Sequence, residues 1–163
     1  MGMARAARKT ELTSGKTNIA KSNLSMMKMW NIAAKVPSLD AEISFIKTMG
    51  GQVLVDEVLR FDDQDFRVVL LKWADKYLHL FEKAVYEHHL DAPRQYGLCH
   101  TVFEVDDLDG LRQRALEAGA HEVMPRSFVS AGFGTRDVVF LQSPGGILFE
   151  LIKVHEHRVP ELP

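Results

Sequence analysis

Residues 29–40 read MWNIAAKVPSLD, and residues 98–109 read LCHTVFEVDDLD. When the two stretches are aligned, like residues recur 69 positions apart. The matched pairs include Val36 with Val105, Leu39 with Leu108, Asp40 with Asp109, Gly50 with Gly119 and Arg67 with Arg136. Further along, two short gaps shift the offset to 71 positions. A period of this kind indicates that one structural unit is used twice, and this repeat decides the fold.

Each unit has the same order of local signals. In the first, Pro37 ends an extended run, Ser38 is a suitable helix N-cap, and Gly50 is a suitable helix stop. Three strand-like runs then follow, at 52–61, 66–73 and 76–82. The second unit repeats this order with a helix over 108–118 and strands at 98–105, 121–125, 135–141 and 147–154. We therefore expect an α+β fold in which two βαβββ modules pair as a curved, half-open mixed-sheet barrel around one cleft, closed within a chain or between two chains.

Charge marks the boundary of the folded part. The 163-residue chain has a formal net charge of -2, but residues 1–28 carry +5, so the remainder carries -7. We expect a flexible basic N-terminal extension, a first module, a linker, a second module and a C-terminal tail, at 1–28, 29–83, 84–97, 98–154 and 155–163. The predicted location is cytoplasmic, or organellar if the basic segment acts as a presequence.

Composition excludes several classes of protein. With 46% hydrophobic and 26% charged residues, the chain has the balance of a soluble globular domain. Its one cysteine, Cys99, leaves no disulfide framework and no cysteine-based zinc site. No apolar run approaches the roughly 18 residues of a membrane span, and no sustained basic stripe suits a nucleic-acid partner.

Four polar positions coincide in the repeat. Asn31 aligns with His100 on the first strands, and His79 aligns with Glu150 on the last strands, which are otherwise almost wholly apolar. Pairing the two modules about a pseudo-twofold axis brings all four positions to one point. Two histidines and one glutamate suit a divalent first-row metal. Asn31 is then either a weak ligand or a hydrogen-bond donor to a substrate.

Other polar residues on these strands are candidates for contacts with a substrate. Tyr77, Arg67 and Arg136 could orient it, and Glu57 could act as a base. The alternative interpretation is structural. In that case the two histidines are hydrogen-bonded core residues, and Glu150 pairs with Arg136 or Arg67.

Three segments of the second unit carry a family resemblance. They are HTVFEVDDL at 100–108, AGA at 118–120 and RDVVFLQSPGGILFEL at 136–151. Together they resemble the vicinal oxygen chelate superfamily, which includes glyoxalase I, methylmalonyl-CoA epimerase, extradiol dioxygenases, fosfomycin-resistance thiol transferases and bleomycin-binding proteins. The resemblance covers about residues 29–154. It implies metal ligands at His79, His100 and Glu150, and at Asn31, where the family more usually has His, Gln or Glu.

The resemblance also implies a function. We expect an enzyme of isomerase, epimerase or lyase type that moves a proton on a small substrate with two adjacent oxygens, through a metal-stabilised enediolate. Glu150 or Glu57 would move the proton, and one Ni, Co, Zn, Mn, Mg or Fe(II) ion would occupy each site. A homodimer is also expected. The alternatives are a single-domain Fe(II) extradiol-type dioxygenase and a non-catalytic small-molecule binding or resistance protein. Two modules favour proton transfer, because the ring-cleaving members usually carry four.

Overall fold

The computed structural model describes residues 26–162. The first module contains β1 (Met27–Lys35), α1 (Leu39–Thr48), β2 (Gln52–Phe61), β3 (Gln64–Trp73) and β4 (Lys76–Phe81). After a short 3₁₀ turn (Glu87–His89), the second contains β5 (Gly97–Val105), α2 (Leu108–Glu117), β6 (His121–Ala131), β7 (Gly134–Gln142) and β8 (Leu148–His157). The predicted α+β fold with two βαβββ units is confirmed. Residues 1–25, most of the predicted N-terminal extension, lie outside the described residues.

All eight strands belong to one curved mixed sheet, in the order β2-β3-β4-β1-β5-β8-β7-β6. The modules meet where β1 pairs antiparallel with β5. Within each module the first strand runs parallel to the last, and the other neighbours are antiparallel. The two modules are therefore joined within a single chain, and the cleft lies on the concave face of their common sheet.

The pairing of β1 with β5 follows the sequence repeat. Asn31 stands opposite Val102, and Ala33 stands opposite His100. Adding 69 to the β1 member of either pair gives the β5 member of the other pair, as a twofold axis between the strands requires. Asn31 and His100 are therefore equivalent positions on either side of that axis.

The last strands obey the same symmetry. Ala33 is registered with His79 on β4, and Val102 is registered with Glu150 on β8. His79 and Glu150 thus hold the same place in their modules, next to the central pair of strands.

Strands β3 and β7 differ from the sequence alignment by one residue. Leu70 and Phe140 hold the same place opposite the last strands of their modules, so the offset here is 70 positions. Arg67 therefore corresponds to Asp137, and its alignment with Arg136 was wrong. Because side chains alternate between the faces of a strand, this single step places the two arginines on opposite faces of the sheet.

The helices cover the convex face. Helix α1 begins at a side-chain cap, since the Ser38 hydroxyl accepts a hydrogen bond from the Ala41 amide, and it buries Leu39, Ile43 and Ile46 against the first module. Helix α2, capped by the carboxylate of Asp107, packs in the same way against the second module. A third apolar cluster fills the concave side. Neither helix has the length and apolarity needed to cross a membrane.

Three predicted boundaries change. Strand β1 starts at Met27, which pairs with β5, two residues before the predicted module start. Strand β8 continues to His157, which pairs with Gly134, so the predicted tail at 155–163 begins as strand. Strand β6 runs through Pro125 to Ala131. Proline is tolerated there because β6 is an edge strand with a register shift at that point.

Candidate functional site

The concave face encloses a cavity of about 420 Å³ lined by side chains of both modules. Asn31, His79, His100 and Glu150 all line it. The strands carry these residues inward from four adjacent positions of the sheet, at β1, β4, β5 and β8. The structure thus brings together the four positions that the repeat singled out.

A β-bulge adds an aromatic residue to this cavity. The register of β1 shifts between Met29 and Asn31, so Trp30 is an extra residue, and both Trp30 and Asn31 line the cavity. The equivalent shift on β5 falls at Cys99, which packs against the concave cluster. Strict alternation along a strand would place the Cys99 side chain on the face opposite His100. The bulge removes that alternation, since it re-aims the side chains beside it.

Several donor atoms in the cavity are buried without a partner. Within residues 26–162, the Nε2 atoms of His79 and His100 and both amide atoms of Asn31 make no hydrogen bond. Leaving a buried polar group unpaired costs roughly 1–3 kcal/mol. Three such side chains in one cavity are an exception to the rule that buried polar groups are hydrogen-bonded, and they make this cavity the candidate site.

His100 is oriented by its other ring nitrogen. Its Nδ1 atom lies 2.8 Å from the hydroxyl oxygen of Tyr86, in a buried hydrogen bond. Burial raises the pKa of Tyr86, so that hydroxyl stays neutral. On the far side of the ring, His100 Nε2 lies 3.5 Å from Glu150 Oε2. One imidazole is therefore held between a phenol and a carboxylate.

His79 is held in its neutral form. Burial lowers its pKa to about 3, and electrostatic interactions with His100 and Arg136 act in the same direction. A neutral imidazole keeps a lone pair on one nitrogen, which is the state a metal ligand needs.

Arg136 is a buried cation in the same cavity. It is 2% exposed, and burial lowers its pKa to about 10 despite the opposing effect of Glu150. Its Nη2 atom donates to the Phe133 carbonyl at 2.9 Å, whereas Nε and Nη1 have no partner within residues 26–162. This side chain faces the site, as its predicted role in substrate binding requires.

The predicted metal ligands line the same cavity, but their side chains are not close enough together to form a metal site. In the described part of the chain, no three His, Cys, Asp or Glu side chains stand close enough together to hold a metal ion as they are. The unpartnered Nε2 atoms of His79 and His100, with Glu150 beside them, are nevertheless the donor types that a divalent first-row metal takes. The donor types therefore suit a divalent metal, although the described side chains are not spaced as a closed ligand group.

Glu57 lines the cavity from strand β2. Its Oε1 atom accepts a hydrogen bond of 2.6 Å from the amide of Gly132, at the β6–β7 turn. Because β2 and β6 are the two ends of the sheet, this contact joins the edges of the half-barrel. The Glu57 carboxylate thus belongs to the lining of the same cavity as the polar cluster.

Two predicted substrate-binding residues lie elsewhere. The Tyr77 hydroxyl donates to the carbonyl of Pro160 and is absent from the cavity wall. Arg67 lies on the convex side, where its Nε pairs with Asp56 at 2.9 Å and its Nη1 pairs with Asp40 at 2.8 Å. The one-residue change of offset explains the second error, since it turns Arg67 toward helix α1.

Comparison with known proteins gives structural neighbours only. No family model and no curated protein matches the sequence. Methylmalonyl-CoA epimerase from Mycobacterium tuberculosis is 21% identical, with a TM-score of 0.60 over 85% of this chain and 95% of that one. A methylmalonyl-CoA epimerase in complex with methylmalonyl-CoA and NH4+ is 22% identical, with a TM-score of 0.61 over 83% of this chain and 100% of that one. A variant of 4-hydroxymandelate synthase from Streptomyces coelicolor is 16% identical, with a TM-score of 0.60 over 83% of this chain and 50% of that one.

The chain has the vicinal oxygen chelate fold. The predicted resemblance is confirmed at the level of architecture, because these neighbours belong to that superfamily. At such identities the likeness concerns the fold, and the chemistry rests on the side chains of this chain.

Sequence reasoning missed three residues of this cavity. Tyr86 belongs to the segment predicted as a simple linker, yet it is 1% exposed and holds His100. Trp30 and Phe133 line the wall around Arg136. The only available signal was the aromatic character of these residues beside polar ones, which is equally typical of an ordinary core.

Proposed function

We propose that this chain is a divalent-metal-dependent enzyme that transfers a proton on a small substrate with two adjacent oxygens, in the manner of an isomerase, epimerase or lyase. One observation carries the proposal. The Nε2 atoms of His79 and His100 are buried without a hydrogen-bond partner, and both residues line one cavity together with Glu150.

His79, His100 and Glu150 would hold the metal. His79 stays neutral in its buried position, so its lone pair is available without loss of a proton. When Nδ1–H of His100 donates to the oxygen of Tyr86, the lone pair of His100 is on Nε2, on the side of Glu150. A divalent metal in this position lowers the pKa of a C–H next to two bound oxygens and stabilises the negative charge that develops there.

Glu57 is the proposed base. The Gly132 amide holds its Oε1, which fixes the carboxylate in the cavity lining, and Oε2 remains to accept a proton. With Glu57 as the base, Glu150 acts only as a metal ligand. This division leaves the carboxylate that accepts the proton free of the metal. Asn31, with both amide atoms unpartnered, would donate a hydrogen bond to a substrate oxygen.

The structural neighbours support this class of reaction. Two of them are methylmalonyl-CoA epimerases, one in complex with methylmalonyl-CoA, and an epimerase of this kind moves a proton next to carbonyl oxygens. Methylmalonyl-CoA is therefore the first substrate to test, and the hemithioacetal of glutathione and methylglyoxal is the second.

Deuterium exchange tests the proposal. Protein loaded with Co²⁺ is incubated with each substrate in D₂O, and mass spectrometry measures deuterium incorporation at the acidic C–H. We expect incorporation well above the buffer rate for at least one substrate, with loss of the excess in His100→Ala and Glu57→Gln. Arg67→Met, on the convex face, is the matched control and keeps the wild-type rate. Exchange at the buffer rate with both substrates contradicts the proposal.

A second function is favoured by the same donor set. Two histidines and one carboxylate on one face also suit Fe(II) in an oxygenase. Oxygen consumption by the Fe(II)-loaded protein with catechol, in the absence of deuterium exchange, would replace proton transfer with dioxygenase chemistry. Ligand binding without either activity would favour the binding-protein alternative.

A further inference from the structure

Arg136 is a charge without a counter-ion. Within residues 26–162 no carboxylate lies within 4.0 Å of its guanidinium, and two of the three guanidinium nitrogens have no hydrogen-bond partner. The side chain is 2% exposed, so bulk solvent screens its charge only weakly. A buried, unpaired charge is costly, and it persists where a ligand or partner completes it.

The surroundings of Arg136 fix the direction in which a partner can approach. The guanidinium carbon lies 4.1 Å from the ring centre of Trp30 and 4.3 Å from that of Phe133. Aromatic rings satisfy the flat faces of a guanidinium through cation–π contact, but they offer no acceptor to its N–H edge. The remaining N–H groups are therefore left for an acceptor in the cavity.

The charges that line the cavity favour a single negative charge on the ligand. Arg136 is the one buried cation in its wall, whereas Lys83 and Arg60 are exposed. Glu150 and Glu57 contribute two negative charges. With Lys83 and Arg60 counted, the three positive and two negative side chains of the wall give a formal sum of +1 without a metal. A carboxylate matches that sum, and a phosphate dianion exceeds it close to two carboxylates.

The rest of the wall is apolar. Phe81, Phe140 and Val138 line the cavity together with Trp30 and Phe133. A ligand that fills about 420 Å³ against these side chains gains from apolar contact away from its charged end.

We propose that the cavity recognises an organic monocarboxylate, whose carboxylate pairs with Arg136 and whose apolar body packs against the aromatic wall. This deepens the proposed function, on which it rests, by naming the substrate class. Arg136 is thereby the specificity residue of the site.

Tryptophan fluorescence tests the proposal without a metal or turnover. The chain has two tryptophans, so Trp73→Phe leaves Trp30, next to Arg136, as the only reporter. EDTA-treated protein is titrated with phenylacetate and with its neutral isostere phenylacetamide. Working without metal isolates Arg136, because a metal would itself attract the carboxylate. We expect phenylacetate to bind at least tenfold more tightly than phenylacetamide.

Variants at the two arginines complete the test. Arg136→Met should remove the tenfold preference, and Arg136→Lys should restore part of it, whereas Arg67→Met should keep all of it. Equal binding of the two probes by the wild type overturns the proposal, and so does an unchanged preference in Arg136→Met. Tighter binding of phenyl phosphate than of phenylacetate overturns the assignment to a carboxylate. Failure of metal binding or deuterium exchange leaves this measurement intact, so the two proposals fail separately.

Discussion

Burial controls the chemistry of His79. In the folded chain the pKa of this imidazole is about 3, against an ordinary value of 6.5, because desolvation disfavours the charged ring. Between these two values the unfolded chain binds a proton that the folded chain does not. The contribution of His79 to the free energy of unfolding is therefore fully present above about pH 6.5. It falls as the pH is lowered through this range.

We expect the free energy of unfolding of metal-free protein to decrease by up to about 1.4 kcal/mol per pH unit below pH 6.5 through His79. Urea unfolding at pH 7.5 and pH 5 measures this. His79→Gln should show a smaller loss between the two pH values, while the exposed His121→Gln should behave like the wild type. An equal loss in His79→Gln would show that other groups cause the acid sensitivity.

Tyr86 acts on the site through His100. Its buried hydroxyl meets Nδ1 at 2.8 Å, and in the tautomer that donates Nδ1–H to Tyr86 the lone pair of His100 lies on Nε2. We expect Tyr86→Phe to weaken Co²⁺ binding by roughly 10- to 100-fold while the fold is kept. Equilibrium dialysis measures the affinity, with Tyr77→Phe as the matched control, since that hydroxyl meets Pro160 away from the cavity. Wild-type affinity in Tyr86→Phe would contradict a positioning role.

At the scale of elements, the β6–β7 hairpin supports both Arg136 and Glu57. Its turn supplies the Phe133 carbonyl to the arginine and the Gly132 amide to the carboxylate. Gly134 follows with φ +117°, and a Cβ there would lie 1.9 Å from the backbone oxygen of Glu156. The hairpin therefore packs closely against β8 at position 134, which only glycine can occupy.

Gly134→Ala should destabilise the fold by more than about 3 kcal/mol, since backbone strain and a clash with another strand act together. Gly50→Ala is the control, because Gly50 also has a positive φ of +84° but has open space around its missing Cβ, and it should lose only about 1 kcal/mol. Thermal unfolding followed by circular dichroism compares the two variants. Equal losses would mean that the clash is relieved by movement of β8.

The elements also show where sequence reasoning succeeds. The two βαβββ units were predictable because cap, stop and strand signals recur in both. The bulges at Trp30 and Cys99 were not, since each needs the pairing partner to be known. The predicted offset of 69 between β3 and β7 was wrong for a similar reason. Sequence alignment alone could not place a one-residue gap inside an apolar strand.

At the scale of the whole molecule, the site follows from symmetry. Asn31, His79, His100 and Glu150 could be grouped from the sequence, because a duplicated unit that pairs about a twofold axis must bring equivalent positions together. Tyr86 could not, since it comes from the segment between the units, which has no equivalent. The burial of Arg136 was likewise hidden, because it depends on packing between both modules.

One cavity built from both modules is the central claim, and metal binding tests it most directly. EDTA-treated protein is titrated with Co²⁺, and the visible absorption bands of the bound ion are followed. We expect one Co²⁺ per chain, with affinity reduced at least tenfold in His79→Ala and in His100→Ala. His155→Ala, which removes a histidine on the extended end of β8, should bind like the wild type. Absence of Co²⁺ binding, or wild-type affinity in both cavity variants, would contradict the account.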